Sequence, residues 1–260
     1  MGDIHPLASV RVLTNADLLH GIFTFVPRAS EKRDSHLARC ATVCRAFHEP
    51  TIRVLWRDLD SLLPLWHLLA PPNTLFPSDD AVEEQIQHFL EAVASAQLYL
   101  DPTRWDRFLR HAAHIRVICH RTRASPAIET ANRLLIQAVI MQNAGRTVLP
   151  LLRSIHWQSC DSPWDGALIP LFTPTLRHAG FTTNSGDGPS AHLLRRLREA
   201  CPTLHSIYLN YISPSLVQGV LPFDRLRKVG IYRISGPDHF RDIITKPDLT
   251  TLRVHDVVGP

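Results

Sequence analysis

The sequence predicts an α+β chain: a three-helix opening, a helical bridge, then a short array of strand–helix units. Three observations predict it. Apolar residues recur at helical spacing through residues 1–60, proline-opened amphipathic runs mark residues 61–110, and an apolar triplet repeats through residues 111–260. The composition is that of a soluble globular chain, with 45% hydrophobic and 20% charged residues among 260. That length suits one elongated domain or two compact ones.

In the opening, Thr14 is placed to cap a helix, and Asp17 three residues on approximates a capping box. Leu18, Leu19, Ile22, Phe23 and Val26 then form an apolar stripe, which Pro27 ends. A polar loop, RASEKRDS, leads to a second stripe of Leu37, Cys40, Ala41, Val43, Cys44 and Phe47. Pro50 suits the first position of a third helix carrying Ile52, Leu55, Trp56 and Leu59. So short a unit buries little by itself and needs the rest of the chain or a partner.

Beyond the Pro-rich loop APPNTLFPSDD, Val82, Ile86, Phe89, Leu90 and Val93 mark an amphipathic helix. The next opens with Asp101 as cap and Pro102 at its first position, and shows Trp105, Phe108, Leu109 and Ala112 on one face. Ser125-Pro126 opens another, with Gly145 as its C-cap. The triplet follows: an apolar residue, two others, apolar, one other, apolar. Its copies are Leu152-Ile155-Trp157, Leu176-Ala179-Phe181, Leu204-Ile207-Leu209, Leu226-Val229-Ile231 and Leu249-Leu252-Val254, with a weaker one at Ala112-Ile115-Val117. The last five lie 22 to 28 residues apart, within the range of leucine-rich repeats. Stacked units of this kind form a solenoid, parallel strands inside and helices outside.

Net charge is +4, and the basic residues are spread along the chain, so nucleic acid is an unlikely partner. No apolar run spans a bilayer, and the N-terminus lacks a signal-peptide core. Five cysteines without a CxxC pair suit reduced thiols, Cys40 and Cys44 in a core, and a cytoplasmic or nuclear protein. His111, His114, Cys119 and His120 form the tightest metal-like cluster, but no carboxylate completes a set, so no metal is assigned. There is no GxSxG, HExxH or Gly-rich phosphate loop. The acids of DSPWDG and NSGDG fit turns, so the chain reads as no enzyme and calls for no cofactor. Only Lys32, Lys228 and Lys246 of the 28 basic residues are lysines, for which codon usage is the plain cause.

The run CATVCRAFHEPTIRVLWRDL, Cys40 to Leu59, resembles the second half of an F-box, and LTNADLLHGIFTFV, Leu13 to Val26, resembles the first. The later segments LDPTRWDRFLRHAAHIRVI, LPLLRSIHW, PTLRHAGF and CPTLHSIYL resemble the irregular leucine-rich region of F-box proteins abundant in mushroom-forming fungi. The resemblance implies three parts: an F-box over 1–60, a helical bridge over 61–110 and a leucine-rich-repeat-like solenoid over 111–260. It implies a substrate adaptor of a Skp–cullin–F-box ubiquitin ligase. Docking on the Skp adaptor, and through it on cullin, would fall to Leu13, Leu18, Ile22, Phe23, Leu37, Cys40, Val43, Cys44, Phe47, Leu55 and Trp56. An unknown protein target would meet side chains between the apolar positions of the strands, namely His156, His178, Tyr208, Tyr232 and Arg253. In such a chain, scarce lysine would limit self-ubiquitination. Thr14, where the F-box usually has Pro, and Phe47, where Trp is commonest, leave an alternative: an interaction scaffold whose degenerate F-box joins no ligase.

Overall fold

The computed structural model describes residues 13, 15–26, 33–71, 74, 83–95, 101–120, 126–158, 165–183, 189–212, 214–235, 241 and 243–258. Expectations resting on Thr14, Pro27, Val82, Ser125, NSGDG and the start of DSPWDG lie outside them. Helix and strand are mixed, and the chain divides into two units, 1–58 and 59–260.

The first unit holds α1 (Ala16–Thr24), α2 (Arg33–Val43) and α3 (Arg45–Leu55). Asn15 caps α1, its Oδ1 accepting the backbone N–H groups of Asp17 and Leu18 at 3.0 and 3.1 Å. Three helix boundaries differ from the sequence reading. The second stripe is not one helix, because Cys44 turns extended (φ −159, ψ 165) and Phe47 falls on α3. Pro50 sits inside α3 instead of opening it; buried there, it gives up one backbone hydrogen bond in exchange for packing. α3 ends at Leu55, so Leu59 lies beyond the helix, in the two-residue strand β1 (Asp58–Leu59).

The interior of this unit is Leu19, Phe23, Leu37 and Val54, with Val26, Cys40, Phe47 and Leu55 packed around it. Phe23 and Phe47 meet edge to face, centroids 5.4 Å apart.

In the second unit, α4 (Leu63–Leu69), α5 (Glu83–Ser95) and α6 (Pro102–Ala112) precede the first full strand. Asp101 caps α6 as expected, accepting the Arg104 N–H at 3.1 Å. α7 (Pro126–Gln142) closes with positive φ at Ala144 and Gly145, whose N–H reaches the Ile140 carbonyl at 3.2 Å. A buried bond from Trp66 Nε1 to Asn132 Oδ1, 2.7 Å, ties α4 to α7.

The sheet runs β1 to β7 in chain order: β2 (Val117–His120), β3 (Ser154–Gln158), β4 (His178–Thr182), β5 (Ser206–Ile212), β6 (Lys228–Ser235) and β7 (Thr251–Val258). From β2 onward each strand pairs in parallel with the next. α8 (Asp165–Leu168), a 3₁₀ turn (Ile169–Leu171), α9 (Ala191–Ala200) and α10 (Pro214–Val220) connect them. Parallel pairing requires such crossovers, because a tight turn only reverses a strand.

The register aligns the triplets. Ile155, Ala179, Ile207, Val229 and Leu252 form one row, and Trp157, Phe181, Leu209, Ile231 and Val254 the next on the same face. The weak first copy is displaced from the expected position. Ile118 pairs with Ile155 and His120 with Trp157, so the copy is Ile115-Ile118-His120 and Val117 faces the other way. Its third apolar place holds a histidine, which hid it from a search for apolar spacing. Hydroxyls tie neighbouring turns: Thr175 to the Leu152 carbonyl (2.9 Å), Thr203 to Pro174 (3.0 Å) and Thr250 to Arg227 (3.0 Å).

Candidate functional site

Two surfaces qualify, one on each unit. On the first, α1 is apolar on two sides. Leu19 and Phe23 are closed in, while Leu18, Ile22 and Phe25 are 50%, 51% and 86% exposed. Their i, i+4, i+7 spacing sets them on one stripe. Val43, at the end of α2, is 67% exposed, Cys44 beside it is exposed, and Leu13 is open too. A stripe this apolar on so small a unit is a candidate interaction surface.

The expected docking residues therefore separate. Leu13, Leu18, Ile22, Val43 and Cys44 are surface. Phe23 and Leu37 are interior, which corrects their place on a partner surface: they close the centre of the three short helices together with Leu19 and Val54. Cys40, Phe47 and Leu55 are half-buried around them, and Trp56 is half-buried at the end of α3. Cys44 is not the core thiol expected of it, because the helix break turns it outward. Phe25 was missed, although its spacing from Leu18 and Ile22 signals it.

On the second unit, the sheet face opposite the triplets carries the expected target-binding residues in three adjacent rows. His156, Gly180, Tyr208, Gly230 and Arg253 are register partners and make up the middle row. With strands about 4.8 Å apart, four steps spread it over about 19 Å. His178, Ser206 and Lys228 share the upstream row. Tyr232, exposed, lies downstream with its ring 5.8 Å from His255.

The two glycines of the middle row shape this face. A Cβ on Gly180 would fall 2.1 Å from His156 Nδ1, and one on Gly230 would fall 2.6 Å from Tyr208 Cδ2. Each ring therefore reclines across the neighbouring strand at the one residue type that leaves room. His156 and Tyr208 end with centroids 5.8 Å apart, a low platform of two rings. Such flat, half-exposed aromatic surface suits protein recognition. His178 Nδ1 lies 2.7 Å from Ser206 Oγ. Partial burial, with the charges of His205, Lys228 and Arg177, pushes its pKa down.

The metal-like cluster comes apart. His111 Nδ1 lies 2.8 Å from the Arg107 carbonyl, and the side chains of Cys119 and His120 leave opposite faces of β2. Among the described residues no three His, Cys, Asp or Glu gather as a metal site, and no helix is long and apolar enough to cross a membrane. Cys201 is buried against the Thr173 carbonyl, its thiol pushed up to about 12 by burial.

His120 lies under the sheet with its ring 4.1 Å from that of Trp157, and burial lowers its pKa to about 4. A histidine held neutral in the fold and free to protonate near 6.5 when unfolded leaves stability untouched above pH 6.5. Stability is then lost as pH falls toward 4. Between pH 7.5 and 5.0 this group should remove about 2 kcal/mol. Urea unfolding at both values checks it: His120→Phe should show the smaller pH loss by about that amount, and equal losses would contradict the assignment.

Compared with known proteins, the chain matches no family model and no curated protein.

Proposed function

We propose that the chain is a substrate-recruiting adaptor of a Skp–cullin–F-box ubiquitin ligase. Its first unit acts as an F-box that docks on a Skp adaptor, and its second as an irregular leucine-rich-repeat solenoid that holds a protein target. The observation that carries this reading is the exposed stripe of Leu18, Ile22 and Phe25 on a helix whose other side is already packed, with Val43 of α2 likewise exposed. Each such side chain gains about 1.5–3 kcal/mol on full burial, so four of them can hold a partner against the cost of association. The sequence resemblance over Leu13 to Leu59 names the partner.

No bond is made or broken by the chain in this role. It raises the effective concentration of a target lysine near a ubiquitin-loaded enzyme carried elsewhere in the assembly. The reclining rings of His156 and Tyr208, with His178, Tyr232 and Arg253, supply the target-facing surface. The test is affinity purification of the full chain followed by mass spectrometry. Recovery of a Skp adaptor with cullin supports the reading, a Skp adaptor without cullin favours a scaffold, and neither defeats it.

A further inference from the structure

The parallel register gathers charges that are far apart in sequence. The residues just before the strands are Arg116, Arg153, Arg177, His205, Arg227 and Thr250. Each stands directly above the next, because the N–H of one bonds the carbonyl of its predecessor at 2.8 to 2.9 Å all along the column. The adjoining row adds His178 and Lys228, which are register partners of Ser206. No acid occupies any position of either row. Arg177 donates to the Thr203 carbonyl at 3.2 Å and to its hydroxyl, so that guanidinium helps to hold a turn. Arg153, Arg227 and Lys228 are exposed, and none joins an ion pair among the described residues.

Cations stacked on strands about 4.8 Å apart repel one another, and interleaved acids would relieve that at no cost to the fold. Rows that carry Arg, Lys and His and no acid raise the local concentration of an anion and select against basic partners. The row is a single line, about 24 Å over the five steps from β2 to β7. That is the footprint of one extended segment. A single-stranded nucleic acid would need aromatic rings between the charges for its bases to stack upon. Here the tyrosines stand apart from the charges, Tyr208 lying over Gly230 and Tyr232 on the downstream side, and the rim itself carries only the small imidazoles of His178 and His205.

We propose that this upstream rim docks an extended segment of the recruited protein rich in aspartate or glutamate. The inference rests on the adaptor reading and adds to it the chemistry of the target.

The test uses the full chain and a fluorescein-labelled ten-residue peptide of alternating Glu and Ser, read by fluorescence anisotropy at low ionic strength. The triple variant Arg153→Gln, Arg227→Gln, Lys228→Gln should bind about tenfold more weakly or worse, and added salt should weaken the wild type. Arg196→Gln, on the exposed face of α9 where the guanidinium pairs with Glu199 and belongs to neither row, should bind as wild type. No saturable binding, an equal affinity in the triple variant, an equal loss in Arg196→Gln, or tighter binding of a single-stranded oligonucleotide would each overturn the proposal. Capture of a Skp adaptor by the same proteins separates the two readings. Rim-dependent peptide binding without Skp capture sinks the ligase role and keeps the rim; Skp capture without rim-dependent binding does the reverse.

Discussion

Leu18→Asp combined with Ile22→Asp is expected to abolish co-purification with a Skp adaptor while the helices and the sheet stay folded. Both positions are half-exposed, so each aspartate stays hydrated in the free chain and should change its stability by less than about 0.5 kcal/mol. In a closed apolar interface the same carboxylates lose their water and gain no partner, which costs several kcal/mol each. With the lost apolar contact, binding should weaken by at least about 1000-fold. Phe23→Asp is the instructive contrast. Phe23 is buried against Phe47 and Leu37, so its aspartate should unfold the first unit instead of testing a surface. Capture at wild-type strength by a folded Leu18→Asp, Ile22→Asp chain would remove the docking surface from the account.

Trp157→Ala should cost the second unit about 3–5 kcal/mol, by cavity formation and lost transfer energy together. Trp157 is fully buried in its row, between His120 and Phe181 in register, with the His120 ring tilted against its own. His156, one residue back, points to the open face, and His156→Ala should cost less than about 1 kcal/mol. Denaturant midpoints of the two variants, read by far-ultraviolet circular dichroism, check the face assignment of the whole sheet. Comparable losses would mean that the two faces are assigned wrongly.

The strands were legible because period-two alternation survives wherever both inward places are apolar, as in Leu204-Ile207-Leu209. The copy at Ile115-Ile118-His120 escaped because a neutral buried histidine fills an apolar place, which no hydropathy pattern marks. Helical spacing showed that α1 is greasy at Leu18, Leu19, Ile22 and Phe23, but spacing alone does not say which side the bundle closes. That depends on how α2 and α3 lie across it. The break at Cys44 was equally hidden, since an extended residue between two helices leaves the apolar spacing almost intact. The basic rim is the clearest case of information held in register. Arg116, Arg153, Arg177, His205 and Arg227 read as scattered charge along the chain and become one column only when the strands are stacked.

The most direct measurement is hydrogen–deuterium exchange of the purified chain with and without a purified Skp adaptor. The account predicts slowed exchange along α1 and at the end of α2, centred on Leu18 to Phe25 and on Val43, with β3 to β6 unchanged. Exchange that is identical in the two samples throughout residues 15–55 would contradict it.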